Sequence, residues 1–299
     1  MMFITILLLV VLFVLLTRCY LLKRELKRAA RQLSELNNEV TSKKIDISYY
    51  DKEVEQLAVE INKQIDLTQK AEAEKRSSEN ELKQAISYIS HDIRTPATSI
   101  LGYIQFLESD EITKEVKQEY TGIIKANAQR LKTLLEEFFE LSVIDQIDYP
   151  LKLEEINLNS LTLEVLLGFY EEFHQKNLEP AIHIPDHGFL LTTDPSAVKR
   201  VLENLIVNAI RHSTGHVSVE LKQVDQSVQL IVRNTVKDLK EQDVQHLFDR
   251  FYKADHTRAE KGTGLGLPIA KSLMEKMNGS LSAELKENQL LMTCEWKYE

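Results

Sequence analysis

A histidine, a carboxylate and a hydroxyl group lie within about one helical turn of each other in SHDIRTP, residues 90–96. His91 could attack through one ring nitrogen while Asp92 accepts the proton of the other, the usual pairing of a nucleophile with a base. Thr95 follows at i+4, so its hydroxyl lies on the same helical face. Pro96 removes a backbone hydrogen bond and is expected to bend the helix there. The segment therefore predicts nucleophilic chemistry at a histidine.

A second motif places two asparagines one helical turn apart. Asn204 and Asn208 lie within DPSAVKRVLENLIVNAIRHS, residues 194–213, and their spacing puts both side chains on one face of a helix. Paired asparagines can be purely structural, as caps or as hydrogen-bonding groups in a core. The pair by itself leaves a structural and a functional role open.

A third motif is the glycine-rich run KGTGLGL, residues 261–267, which holds three of the nine glycines of the chain. Glycines let backbone N–H groups approach a phosphate closely, and a helix N-terminus favours anions. Pro268 follows at the expected first turn of a helix. A short run of this kind is often a plain turn, but its position after FDRFYKAD favours a phosphate-binding loop.

Together these motifs resemble those of HisKA-type sensor histidine kinases with a GHKL ATPase domain. SHDIRTP is similar at all seven positions to their H box, and residues 194–213 are similar to the N box of GHKL ATPases. Residues 248–252 resemble the F box, and residues 262–267 resemble the second glycine box. The resemblance covers about residues 87–299, with the motifs in the family's order.

The resemblance implies a role for each residue at a matching position. His91 would accept the phosphoryl group of ATP, Asp92 would assist the transfer, and Thr95 would position the water that dephosphorylates the partner protein. Arg250 would contact the transferred phosphate, and Asn208 would bind Mg²⁺ through its oxygen. The other nucleotide-binding positions would be Asn204, Arg211, His212, Asn234, Gly262, Thr263, Gly264, Leu265 and Gly266.

The first glycine box of the family, commonly DxGxG, departs from the pattern. Counting back from Phe248 aligns it with NTVKD, residues 234–238, which contains neither glycine. Asn234 replaces the aspartate that would contact adenine, and its amide keeps an acceptor oxygen without the charge. Two interpretations follow. ATP binds with altered affinity, or the pocket is degenerate and the protein is a signalling scaffold or a phosphatase-biased sensor with weak kinase activity.

The N-terminal segment is apolar enough for a transmembrane helix. Residues 1–17 are uncharged and almost wholly apolar, and residues 1–22 reach the length of a bilayer core. No basic region precedes the run and no small-residue cleavage site follows it, which favours a retained anchor. The basic stretch of residues 23–31 predicts a single-pass protein of the cell membrane with cytoplasmic kinase domains and almost nothing outside.

Residues 23–76 predict a helical linker, with helices joined near residues 42–48, because they are rich in charged residues and contain neither proline nor glycine. One helical face of its second half collects Val54, Leu57, Ala58 and Ile61. This pattern resembles the second helix of a HAMP-type signalling linker. An ordinary amphipathic coiled-coil helix fits it equally well, so we describe the linker as HAMP-like.

Residues 77–148 predict a helical hairpin. Apolar seams run along both of its helices, through Ile86, Ile89, Ile93, Ile100, Ile104 and Leu107 in the first and Ile124, Leu131, Leu134, Leu135, Phe138 and Leu141 in the second. Two antiparallel helices cannot bury two such seams alone, so we expect a homodimer whose hairpins form a four-helix bundle. Counting Ile86 as heptad position a places His91 at f, facing water.

Residues 149–299 predict an α/β-sandwich ATP-binding domain, which makes the protein α+β and multidomain. Helical runs in this part alternate with the strand-like runs LKLEEI, AIHIP, HVSVELKQV, SVQLIVRN and LMTCEWKY. The expected ligands are ATP and Mg²⁺. An ATPase of the same fold that does mechanical work is an alternative, but the exposed histidine beside a bundle seam argues against it.

The formal net charge of −9 has the wrong sign for a nucleic-acid-binding protein. The two cysteines, Cys19 and Cys294, predict neither a disulfide framework nor a metal cluster. The expected partners are a second copy of the chain, the receiver domain of a response regulator and a membrane protein such as a transporter that supplies the signal.

Overall fold

The computed structural model describes residues 2–37, 44–46, 52–108, 112–253 and 262–297. The chain divides into two compact units, Met1–Gln84 and Ala85–Glu299.

The first unit begins with a long apolar helix, α1 (Met2–Asn37). Among the described residues, one helix is long and apolar enough to cross a membrane, the Met2–Ser34 part of α1, and no residue of its most apolar 18-residue stretch is buried. The predicted apolar and basic stretches are therefore parts of one continuous helix.

The linker is helical on both sides of its joint, with α1 ending at Asn37 and α2 (Lys52–Leu107) following. Of the predicted joint at residues 42–48, only residues 44–46 are described. Ile45 is buried against Ala58 and Ile65. The Asn62 amide accepts from the backbone N–H of Ile45 and donates to its carbonyl. Leu57, predicted on the same helical face as Ala58, is 53% exposed.

The second unit contains the predicted hairpin, formed by the C-terminal part of α2 and by α3 (Lys114–Ile144). The helices run antiparallel, since the Tyr103 ring packs at a tilt against the Tyr120 ring while Asn127 donates to the Ser99 hydroxyl. α2 continues through the buried Pro96. Thr113 caps the N-terminus of α3 by accepting from a backbone N–H in its first turn.

The two predicted seams have different environments in the single chain. Ile86 and Ile104 on α2 are exposed, whereas Leu134 and Leu141 on α3 are buried. Leu141 belongs to the hydrophobic core of the C-terminal domain, and Phe138 packs against that core. Part of the α3 seam thus packs on the C-terminal domain and is not available to a second hairpin.

The C-terminal domain has two sheets and a helical layer. Its elements in chain order are β1 (Glu154–Asn157), α4 (Leu158–Gly168), α5 (Tyr170–Gln175), β2 (Ala181–His183), β3 (Leu190–Thr193), α6 (Pro195–His212), β4 (Val217–Val224), β5 (Ser227–Thr235), α7 (Glu241–Val244), α8 (Gly266–Lys276), β6 (Ser280–Lys286) and β7 (Gln289–Lys297). β1 and β3 form an antiparallel pair, and the larger sheet has the order β2-β4-β5-β7-β6. Only its β2–β4 pair is parallel.

Helices α6 and α8 pack against each other and against strands of the large sheet. Local sequence explains the start of α6, because the Asp194 carboxylate accepts from the N–H groups of Ser196 and Ala197 and Pro195 occupies the first turn. The buried face of α6 includes Val198, Leu202 and Leu205, each with no exposed surface. This packing fixes the helix that carries the paired asparagines.

Candidate active site

His91 lies on the solvent face of α2, with its side chain 75% exposed. Its Nδ1 atom lies 3.4 Å from Oδ1 of Asp92. Thr95 donates its hydroxyl to the carbonyl of His91 at 3.2 Å, one turn along the helix. With Nδ1 beside a carboxylate, Nε2 is the ring nitrogen left to react with an incoming group.

Asp92 also joins the hairpin to the C-terminal domain. Its Oδ2 atom accepts from Nζ of Lys253 at 2.5 Å, and the two side chains are only 19% and 14% exposed. Burial raises the pKa of Asp92, but the hydrogen bond and charge of Lys253, the hydrogen bond to His91 and the charge of Arg130 outweigh it, so the pKa lies below its ordinary value. The carboxylate therefore bridges the histidine and the lysine.

A cavity of about 500 Å³ lies between the C-terminal domain and α3. The predicted residues that line it are Asn204, Asn208, Arg211, His212, Gly262, Thr263, Gly264 and Gly266. Lys253 lines it as well, so the residue bound to Asp92 is also part of the cavity wall. The sequence did not single out this lysine, although it lies in the FYKAD segment that follows the F-box phenylalanine.

The glycine-rich loop is held by close backbone contacts. Gly264 has a φ of 75°, and its carbonyl accepts from the N–H of Phe251 at 2.9 Å. A Cβ atom there would lie 2.9 Å from the Phe251 backbone, so a side chain does not fit. Leu265 does not line the cavity but is fully buried in the core, where it anchors the loop just before α8 begins at Gly266.

The cavity presents donors that suit an anionic ligand. The side chain of Arg211 reaches the glycine-rich loop, since a Cβ atom on Gly262 would lie 3.0 Å from its guanidinium. The N-terminus of α8 adds the positive end of a helix dipole. Nδ2 of Asn204 is buried and has no hydrogen-bond partner in the described parts of the chain. A triphosphate would satisfy all three groups.

Asn208 lies one turn along α6 from Asn204, half-buried on the cavity wall. Its amide oxygen is a suitable ligand for Mg²⁺, which keeps several waters and commonly shares its ligands with the phosphates of a nucleotide. The residues present therefore fit a magnesium–nucleotide complex.

Besides Leu265, Asn234 and Arg250 lie outside the cavity wall. Asn234 is buried in β5, and both of its side-chain polar atoms lack partners within the described ranges, although its neighbour Val236 lines the cavity. Arg250 points to the hairpin, where Nη2 donates to Oδ2 of Asp145 at 2.6 Å. The predicted contact of Arg250 with the phosphate stays a prediction, and in this structure Lys253 is the basic residue that contacts Asp92 and lines the cavity.

The hairpin itself contributes to the cavity through Thr133 and Glu137 of α3. The Glu137 carboxylate accepts from the hydroxyl of Thr263 in the glycine-rich loop. Burial raises the pKa of Glu137, and the hydrogen bond from Thr263 and the charge of Arg200 only partly oppose this effect. Periodicity places Glu137 on α3 but cannot show that it reaches a loop so distant in sequence.

Family models match both halves of the second unit. The His Kinase A (phospho-acceptor) domain matches residues 81–147, and the histidine kinase-, DNA gyrase B-, and HSP90-like ATPase family matches residues 193–294. The sensor protein VanSC of Enterococcus gallinarum is 32% identical over 85% of this chain and 70% of its own length. The chain belongs to the sensor histidine kinases. Sensor histidine kinase YcbM of Bacillus subtilis is 29% identical to this kinase, over 86% of this chain and 84% of its own.

Solved structures agree with this assignment. Histidine kinase ThkA in complex with response regulator protein TrrA has a TM-score of 0.63 and 25% identity, covering 78% of this kinase and 66% of that chain. Acinetobacter baumannii histidine kinase AdeS, with a TM-score of 0.55 and 21% identity, covers 69% of this kinase and 97% of its own chain and shares the fold.

The predicted HisKA hairpin and GHKL ATPase domain are therefore confirmed, and the protein is an ATP-binding protein-histidine kinase. The alternative of a mechanical ATPase is wrong, because the ATPase fold is joined to a phosphoacceptor domain and the relatives named above are sensor kinases.

Proposed function

We propose that this sensor kinase transfers the γ-phosphoryl group of ATP to Nε2 of His91 and then to an aspartate of a response regulator. One observation carries the assignment of the residues: Asp92 contacts His91 with one oxygen and Lys253 with the other, and Lys253 lines the ATP cavity. A single carboxylate thereby connects the exposed histidine with the nucleotide site.

The proposed transfer forms a bond between Nε2 and the γ-phosphorus and breaks the bond from that phosphorus to the β,γ-bridging oxygen, so ADP leaves. Asp92 keeps the proton on Nδ1, which leaves the lone pair of Nε2 free and stabilises the positive charge that the ring gains. Lys253 offsets negative charge beside the transferred group. Mg²⁺ held by Asn208 would supply further charge neutralisation.

We further propose a membrane-anchored homodimer. The exposed apolar surface of Met2–Ser34 supports the anchor. The exposed side chains Ile86, Leu101 and Ile104 on α2 and Phe139 on α3 support pairing with a second hairpin. The signal would come from a partner membrane protein such as a transporter. It would then pass in turn through the HAMP-like linker (23–76), the hairpin (77–148) and the ATP-binding domain (149–299).

Phosphatase activity toward the regulator is part of the same proposal. The Thr95 hydroxyl lies one turn from His91 on an accessible helix face. The complex of ThkA with TrrA supports a receiver domain as the partner, since that relative binds its regulator.

One observation favours the alternative of a phosphatase-biased sensor with weak kinase activity. Asp238 stands where the first glycine box of the family would place its second glycine, and its φ is 63°. A non-glycine residue in this left-handed region costs about 1 kcal/mol. Together with the position of Asn234 off the cavity wall, this strain would weaken adenine binding while leaving Thr95 unaffected.

The experiment that tests the proposal measures labelling of the full-length chain in detergent by γ-labelled ATP with Mg²⁺. His91→Gln should abolish the acid-labile label because it removes the nucleophile. His174→Gln, which changes an exposed histidine on α5 away from the cavity, is the matched control and should label normally. Undiminished labelling of His91→Gln would contradict the assignment, and absence of label in the unchanged protein would favour the phosphatase-biased alternative.

A further inference from the structure

A glutamate of the hairpin occupies a place in the ATP cavity. Glu137 projects from α3, lines the cavity and accepts from the hydroxyl of Thr263. Its neighbour Glu136 points the other way, with its side chain 62% exposed and paired with Lys132 on the same helix. Of two adjacent carboxylates, one therefore lies in the nucleotide site and the other lies in solvent.

The surroundings of Glu137 are those of an anion site. Its negative charge is attracted by Arg211 and Arg200. Arg211 also reaches Gly262 of the glycine-rich loop, next to Thr263. A carboxylate and a phosphate oxygen are both anions that accept hydrogen bonds from hydroxyl and guanidinium groups. Glu137 thus uses the same loop and the same arginine that a triphosphate would use.

We propose that Glu137 is an autoinhibitory stand-in for a phosphate of ATP. While α3 is docked as in this structure, the Glu137 carboxylate holds the hydroxyl of Thr263 and places a negative charge beside Arg211, so the phosphates of an incoming nucleotide must displace it. This inference rests on the proposed nucleotide site. It adds that α3 regulates ATP binding, because release of α3 from the ATP-binding domain raises the affinity for ATP.

Specific contacts hold α3 in this position. Arg200 of α6 donates from Nε and Nη2 to the two carboxylate oxygens of Glu140, at 2.8 and 2.6 Å. Lys276 of α8 donates to the carbonyl of Gln146 at 2.6 Å. Glu140 lies one helical turn from Glu136 and close behind Glu137 on α3, so the bidentate pair fixes the segment that carries the inhibitory carboxylate.

The docked arrangement is one that a nucleotide can displace. Burial raises the pKa of Glu137, which means that keeping the carboxylate charged in the cavity costs free energy. The Arg200–Glu140 pair is about one-third exposed and therefore partly screened by solvent. Neither contact is a buried, fully paired interaction that would lock α3 permanently.

The test compares Glu137→Gln with the matched variant Glu136→Gln in the full-length protein in detergent. Both lose one negative charge from adjacent positions of α3, but only Glu137 lies in the cavity. We expect Glu137→Gln to bind ATP about tenfold more tightly than the unchanged protein, within the usual range of coupling between two sites. Glu136→Gln should bind ATP as the unchanged protein does, and all three should bind adenosine equally because adenosine carries no phosphate.

A second variant weakens the docking of α3 through a residue that does not line the cavity. Glu140→Gln removes the charged partner of Arg200, loosens α3 and should also tighten ATP binding, by less than Glu137→Gln. Equal ATP affinities of Glu137→Gln and Glu136→Gln, or weaker ATP binding by Glu137→Gln, would overturn the inference alone. Failure of the unchanged protein and of every variant to bind ATP would instead overturn the proposed nucleotide site, and the inference with it.

Discussion

At the scale of single residues, Asp92 contacts both the exposed histidine and a residue of the cavity wall. One oxygen lies beside Nδ1 of His91 and the other binds Lys253. Because its pKa lies below the ordinary value of 3.8, the carboxylate is charged at every pH above that value. Its contribution to the docked arrangement is therefore present above pH 3.8 and is lost as the pH falls through the lowered pKa.

Asp92→Asn tests this link. The amide has no charge to hold the proton on Nδ1 or to pair with Lys253, so the initial rate of autophosphorylation should fall about 100-fold, the scale of a lost acid–base partner. ATP affinity should change little, because Asp92 does not line the cavity. Rates and affinities are measured on the same purified protein. An unchanged rate would show that Asp92 is only a structural partner of Lys253.

Which site residues the sequence could predict depends on how local their contacts are. His91, Asp92 and Thr95 are neighbours on one helix, so heptad counting was enough to place the histidine on the exposed face. Arg250 was predicted to contact the phosphate; in this structure it pairs with Asp145, while Lys253 contacts Asp92 and lines the cavity. Arg250 and Lys253 are only three residues apart, and which of them faces the cavity depends on the path of the backbone around Phe251, which has a positive φ.

At the scale of secondary-structure elements, α2 passes Pro96 without ending. The proline leaves the carbonyl of Asp92 without its usual helical donor, because it lies four residues further along the chain. Pro96 is itself buried, so packing against the rest of the unit compensates for the missing bond. The bend predicted from the sequence would lie within about one helical turn of His91 and Asp92.

Pro96→Ala is expected to stabilise α2 and to alter the two activities unequally. Restoring the helical hydrogen bond and removing the ring clash are worth up to about 3 kcal/mol. Losing two buried ring methylenes costs about 1.6 kcal/mol, so a net gain of about 1 kcal/mol should appear in thermal unfolding. We expect a changed ratio of phosphatase to kinase activity at unchanged ATP affinity. If both activities stay the same, the proline is merely tolerated.

The elements themselves were predicted well where they carry a regular pattern. All five predicted strand runs correspond to strands, but β3 and β6 were not predicted. β3 is a four-residue strand paired with β1 in the small sheet, and its apolar pattern does not follow its burial, since Leu190 is exposed and Thr193 is buried. The division of the α3 seam between the hairpin and the C-terminal domain was also hidden, because apolar spacing shows that a face is buried but not which surface covers it.

At the scale of the whole molecule, the second unit shows the ATP-binding domain docked on its own hairpin. The contacts that join them come from both helices of the hairpin, Asp92 on α2 and Glu137 and Glu140 on α3. We propose that in this docked arrangement Asp92 and Lys253 connect His91 to the cavity wall while Glu137 restrains the nucleotide site. A signal that moves α3 would therefore change ATP binding and phosphoryl transfer together.

The proposed phosphoryl transfer to His91 is tested by locating the phosphoryl group on the full-length protein. The chain is autophosphorylated with ATP and Mg²⁺ in detergent, and phosphorus NMR identifies the modified atom while peptide mass spectrometry identifies the residue. We expect a single phosphoramidate at Nε2 of His91, because Asp92 occupies the Nδ1 side of the ring. A phosphoryl group at Nδ1, on another histidine or on a carboxylate would contradict it.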